Sequence, residues 1–561
     1  MRARGLRRAT VAATVAAATA ALLVACGDKD ADTLDYLIDG AVTGYNVNTV
    51  EGNASGAVMA FPRVLPGFSY LGPQGQVVAD RDIGDVSLVE GPVLTVKYDF
   101  NPDAVYSDGH AMTCDDLLLA ATAMGGKVPG FDASTHAGYS DIAKVDCTPG
   151  AKSATVTFAR NRDYADWRAL FGVGTLLPAH VVAEAAGLAD VTGPIQKNDK
   201  AALAKIAKAW NTAFALKPGE SVDSSKILSS GPYRVSEYST GGGLKLVVND
   251  KWWGARPATP TVTVWPRGTD GARQLADGHV DVTDTADVAA ADKLAGKADD
   301  GAPNRVAAKD PKSPSVTQLL LAEKGVFAAD AVRRAFAACV PRDTIARKHG
   351  ANGLVWNLRT VAPADPLGPA LNAEFARRFP RADVVRARNL LKDRPGGKPT
   401  VRIAYVSPDP VAAAVVADIT ETCGSAGVTV TDVASPSRTI GSLGRDADVL
   451  LVSGATGFAA AGTASGFPDA YGLYTGDPLN VTNFRSPAVT GALNDLSLST
   501  SDSARLPLMR TVENAAWDRL PSIPLYGSVR GIAHSTNTHN VVPGLSQTGT
   551  GWNMDRWVQH V

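Results

Sequence analysis

Cysteine is scarce, five residues in 561, and no two stand as CxxC. No HxxxH spacing exists either, so the usual ligand patterns of a structural zinc site are missing. Net charge is absent too: 55 Lys and Arg balance 56 Asp and Glu, a formal −1. Nucleic-acid binding rests on neutralising phosphates with a basic surface, so no nucleic-acid partner is expected. A polybasic membrane patch is lacking as well. There is no G-x-S-x-G elbow, no HExxH and no P-loop. Gly172-Val173-Gly174 and Gly396-Gly397-Lys398 lack the rest of any phosphate-cradling pattern. Of eight histidines, only His534 and His539 are close in sequence, and a spacing of five puts them on no shared helix face. These absences argue against catalysis, a cofactor and a resident metal. No repeat of solenoid period occurs.

Hydrophobic residues make up 45% and charged residues 20% of the chain, an ordinary balance for a folded globular protein. The length exceeds what one core usually holds, which implies lobes of ~100–250 residues. At the N-terminus Arg2, Arg4, Arg7 and Arg8 precede an apolar stretch from Ala9 to Ala25, the layout of a signal peptide over residues 1–25. Leu23-Val24-Ala25-Cys26 resembles the lipobox of bacterial lipoproteins. That resemblance implies a diacylglyceryl thioether on Cys26 and a lipidated tether over 26–33, which would hold the protein to the outer face of the cell membrane. No second apolar run of ~18 residues follows. The other four cysteines, Cys114, Cys147, Cys339 and Cys423, are an even set in an exported chain and read as disulfides. Three connectivities are possible; proximity in sequence favours Cys114–Cys147 and Cys339–Cys423.

Period-two patterns predict strands at Leu34–Ile38, Val93–Tyr98, Thr155–Phe158, Gly243–Asn249 and Thr261–Val264. Thr113, with Asp116 three residues on, predicts a capped helix start. Ala201–Trp210 reads as helix, and the Ala- and Asp-rich stretch from Gly271 to Gly301 as helix or loop. A second region of αβ alternation begins after Pro311. It has strands at Val316–Leu321, Val401–Val406, Val428–Val433 and Val449–Val452, and helices at Asp330–Cys339, after Pro341, after Asp383 and at Val411–Cys423.

Five segments, in order, resemble the extracellular solute-binding proteins of family five, the peptide/nickel class (cluster C) that serves ABC importers. They are Tyr106-Ser107-Asp108-Gly109 through Asp116, Ser230-Gly231-Pro232-Tyr233 with Asn249 through Gly254, Val332–Phe336 with Pro341–Ile345, Asn483–Pro487, and Pro521–Tyr526. Among relatives the chain is most similar to the lipoprotein branch of high-GC Gram-positive bacteria. The resemblance implies an α/β fold of type II with two lobes and an extra domain in the first. The core of lobe 1 would comprise residues 34–60, 220–312 and 527–561, with the extra domain at 61–219 and lobe 2 at 313–526. The chain would cross between lobes near Ser313–Thr317 and near Ile523–Tyr526. It also implies a monomer that captures a small solute (an oligopeptide, sugar or glycolipid headgroup) in the cleft and delivers it to an ABC permease. The alternative is a lipoprotein of the same fold that regulates or scaffolds cell-envelope glycolipid synthesis. In peptide-binding relatives an Asp after the strand matching Val449–Val452 holds the ligand's α-amino group; here Thr456 stands there, with Asp469 further along the loop. Thr456, Ser453 and Asn53 would suit a hydroxyl-rich ligand, and Tyr45, Trp356 and Phe458 are the aromatic candidates for the cleft.

Overall fold

Val262 and Val264 are fully buried and the residues between and beside them half-buried, the pattern of a strand with one face on a core. This strand, Thr261–Trp265, runs parallel to Thr33–Ile38, which pairs in parallel on its other side with Val282–Thr285. The structure is a computed structural model and describes residues 32–73, 75–295, 305–306, 315–350, 353–393, 398–453, 471–544 and 546–559. The signal-peptide segment, Cys26, Thr456, Phe458 and Asp469 lie outside these residues. The first sheet has seven strands in the order Arg305–Val306, Gly531–His534, Val282–Thr285, Thr33–Ile38, Thr261–Trp265, Leu244–Val248, Tyr233–Tyr238.

Val282–Thr285 corrects the reading of Gly271–Gly301 as helix or loop. Its residues Val-Thr-Asp-Thr are mostly polar, yet all four are buried. An ion pair makes this possible. Asp284 accepts from Arg530 Nε at 2.9 Å and from the Thr550 N–H at 2.7 Å, and Arg530 Nη1 donates to Ser546 O at 3.0 Å. Buried charges persist when paired and fully hydrogen-bonded.

The second sheet has five strands in the order Thr429–Asp432, Thr400–Ala404, Val449–Val452, Val316–Leu321, Ser522–Gly527. All six residues of Val316–Leu321 are buried, as expected of an interior apolar run. Thr400–Ala404 and Thr429–Asp432 pair in parallel, and the helix Pro410–Ser425 connects them. Asp409 caps that helix by accepting from the Ala412 N–H, and Pro410 supplies the preset φ of its first turn.

A third sheet, of four antiparallel strands between Gly84 and Phe158, packs with the helices Cys114–Met124, Ala179–Ala186 and Lys200–Thr212. It occupies the stretch assigned to the extra domain. The capping box at Thr113 and Asp116 is present. The other oxygen of Asp116 accepts from the Ala179 N–H at 2.8 Å, so one buried carboxylate ties two helix starts together. One disulfide, Cys114–Cys147, lies in this body; the other, Cys339–Cys423, joins the helix Asp330–Cys339 to Pro410–Ser425.

Two connections join the first and second sheets, from Val306 to Val316 and from Gly527 to Gly531. Ile523–Tyr526 itself completes a strand against Val316–Leu321, so the return crossing falls just after it, at Ser528–Arg530. The Ser528 N–H donates to Ser315 O at 2.9 Å, and the hydroxyls of Thr317 and Ser528 are 2.9 Å apart. Ser315 and Ser528, where the two crossings meet the second sheet, therefore lie side by side.

Candidate functional site: the cleft between the sheets

The parallel strands of both sheets end toward a common space. Gly40 and Ala41 follow Thr33–Ile38, Arg267 follows Thr261–Trp265, and Ala286–Ala289 follow Val282–Thr285. From the second sheet, Tyr405 and Val406 follow Thr400–Ala404, and Ser453 follows Val449–Val452. All of them line one cavity of about 360 Å³. The carboxyl ends of parallel strands are where α/β folds bind ligands, because the loops there converge without the chain having to fill the gap. Thr317, Tyr526 and Val529, beside the crossings, also line it. Close backbone approach shapes one wall: a Cβ on Gly56 would stand 2.4 Å from Gly40 O, so only glycine lets the start of the short helix Ala57–Ala60 sit against the turn at Gly40.

Charges of both signs face this cavity. Arg267 pairs with Asp39 on its own side and reaches across to Asp409 Oδ2 at 2.6 Å. Glu51 Oε1 accepts the Gly441 N–H from the opposite side at 3.1 Å. Lys348 Nζ donates to Asp418 Oδ1 at 2.5 Å, and burial pulls the neighbouring His349 below its ordinary range. Tyr405 donates to Asp432 Oδ2 at 3.0 Å; burial, reinforced by that carboxylate, pushes its phenol up to about 12. Away from the cavity, the extra body also grips the second part of the chain. The His136 N–H donates to Asp477 Oδ2 at 3.0 Å, and Arg162 Nη2 to Ser497 Oγ at 3.1 Å.

Of the residues expected to hold solute, Ser453 lines the cavity. Asn53 lines a second space of about 240 Å³ between the extra body and the first sheet, whose lining carries no charged residue. Tyr45 is a correction. Its ring is completely buried, its hydroxyl donates to Leu228 O at 2.6 Å, and Phe61 packs edge-on at 5.0 Å, so it is a core residue. Trp356 is another: its indole N–H donates to Val361 O at 2.9 Å, its backbone N–H to Leu525 O, and the ring is buried in the second lobe. Sequence reasoning passed over Arg267 and Asp409. Both carried a usable signal, since each stands just past a predicted strand that proves to be parallel, and Asp409 also precedes a proline that opens a helix.

Residues 89–475 match the description of bacterial extracellular solute-binding proteins, family 5, middle region. The chain belongs to this family. Over 99% of its length this family 5 protein is 42% identical to 97% of the uncharacterized lipoprotein Rv2585c of Mycobacterium tuberculosis. Its fold matches the periplasmic EDTA-binding protein EppA with a TM-score of 0.72 at 18% identity, covering 94% of this chain and 96% of that one. It also matches the oligopeptide-binding protein AppA of Bacillus subtilis, solved with a nonapeptide, with a TM-score of 0.69 at 15% identity over 94% and 99% of the two chains. The family 5 fold is thus two-lobed and periplasmic-binding-protein-like, with the lobes built on the seven- and five-stranded sheets.

Proposed function

We propose that this chain is an extracytoplasmic receptor, anchored to the membrane through lipidated Cys26, that captures a peptide-like or other polar solute between its lobes and passes it to an ABC permease. The observation carrying this reading is the cavity of about 360 Å³, lined from both sides by the ends of parallel strands and by charges of both signs. Its size is near the lower end of the ~300–1,000 Å³ usual for small-molecule pockets, which suits a solute the size of a short peptide. Paired cations and anions on the walls suit a solute with charged groups of its own, because each wall charge can trade a protein partner for a ligand partner without being left bare. The lipoprotein name of the mycobacterial relative supports the anchor at Cys26.

The test is a thermal-shift screen against short peptides, sugars, glycerophosphodiesters and envelope glycolipid headgroups. A true ligand at 100 times its Kd stabilises by ~2.7 kcal/mol. Arg267→Ala should weaken the response to that ligand. A screen in which no class moves the Tm overturns the receptor reading.

A further inference from the structure

The fold brings together two histidines that the sequence keeps 70 positions apart. His110 lies in the turn after Asp108-Gly109, and His180 in the first turn of the helix Ala179–Ala186. Their rings stack at 4.1 Å with planes 16° apart. His110 Nδ1 and His180 Nε2 address the same atom, Asp108 Oδ2, at 2.8 and 2.9 Å. The turn does not require this of His110: Gly109 N–H to Tyr106 O closes it, and Asp108 Oδ1 is already taken by the His110 backbone N–H. Nor does the helix start require it, since the Ala179 N–H is already held by Asp116 Oδ1 at 2.8 Å.

We propose that Asp108, His110 and His180 form a surface site for a divalent transition cation of the zinc, nickel or copper class. Two imidazoles and a carboxylate are the donors such ions prefer. The three ligating atoms lie within 4.8 Å of one another. Ligand atoms around a tetrahedral ion stand ~3.3 Å apart, so the present nitrogen–oxygen contacts need open by only ~0.5 Å. His110 has the freedom to do this, its side chain being 63% exposed. Asp108 Oδ1 is held by the His110 backbone N–H at 3.0 Å, which leaves Oδ2 turned toward both rings. Glu184, one turn along the helix from His180, adds negative field at the same place. Two exposed sides leave room for water to complete the coordination. None of the three residues lines the interlobe cavity, so this site is separate from the solute site.

The experiment titrates the full chain, purified in detergent without a histidine tag, with Zn²⁺ by calorimetry and with Cu²⁺ by electron paramagnetic resonance. One equivalent bound with micromolar affinity is expected, with copper showing coupling to two imidazole nitrogens. His110→Ala, whose exposed ring leaves the fold untouched, should weaken binding at least tenfold; His180→Ala should do the same. The apo Tm of His110→Ala checks that the variant is folded. Full-strength binding in His110→Ala, binding lost instead on His534→Ala and His539→Ala, or no binding by the natural chain would each overturn the site.

Discussion

Arg342 is wholly buried, and all five of its hydrogen bonds end on carbonyl oxygens. Nε donates to Pro524 O, Nη1 to Arg378 O and Phe379 O, and Nη2 to Trp356 O and Asn357 Oδ1, at 2.6 to 3.1 Å. The guanidinium also lies 5.0 Å from the Trp517 ring centre, and burial lowers its pKa to about 9. Only a planar fork of donors fits that set of acceptors. Arg342→Lys keeps the charge but strands at least two acceptors, so a loss of ~2–4 kcal/mol is expected in urea unfolding. An unchanged midpoint would show that water substitutes for the fork. In the cleft, Asp409→Asn keeps the helix cap, because asparagine caps as well as aspartate. It weakens only the reach of Arg267 across the cavity, leaving Arg267 its pair with Asp39. The unliganded variant should scatter X-rays with a larger radius of gyration than the parent at nearly equal Tm. Equal radii would mean that other contacts hold the lobes together. At this scale the sequence was informative about motif positions and poor about their roles. Arg342 stood out only within a family-like string, while Tyr45 and Trp356 were assigned to the cleft because nothing in a single sequence separates a core ring from a pocket ring.

Elements were read more faithfully. Strands with regular alternation, such as Thr261–Trp265, and helices opened by a predicted capping residue, such as Cys114–Met124 and Val384–Leu391 after Asp383, fall where their local chemistry predicts. Val282–Thr285 was lost because its stability comes from Arg530, 246 positions later, and no local pattern encodes a distant partner. The Thr113 helix start also carries a pH dependence. Burial pushes the Asp116 carboxyl up to about 7, so the folded chain holds this proton more tightly than the unfolded one. Its stabilising contribution is complete below the unfolded pKa of ~3.9 and is lost as pH rises through the folded value. Tm should therefore decline between pH 5 and pH 8 by more in the parent than in Asp116→Asn, even though the variant is less stable throughout. Parallel curves would assign the slope to other groups, and Asp477, raised to about 6 by burial, is the next to test.

For the whole molecule, the expectation of two lobes and an extra domain came from the family resemblance of five segments and not from strand spacing, which by itself does not say which strands share a sheet. What was not legible is the set of links between lobes, which depends on side chains meeting across a gap. Among the described residues no helix is long and apolar enough to cross a membrane. In the proposed function the membrane attachment is through lipidated Cys26. Cys26→Ser should move the protein from the membrane fraction toward the soluble fraction of cells, as read by immunoblot after carbonate washing; retention equal to the parent would remove the anchor from the proposal.

The return crossing is short and fastened at once. After Ser528 and Val529, Arg530 is already locked to Asp284 and Ser546. A relative swing of the two halves would turn about an axis near Ser315 and Ser528, with displacement growing with distance from it. Thr317 and Tyr526, register partners in the second sheet beside the axis, stay near the first sheet while the far rim parts. Under the proposed function, a molecule resting there would lose its outer contacts first and its seat last, a graded unfastening from the rim inward.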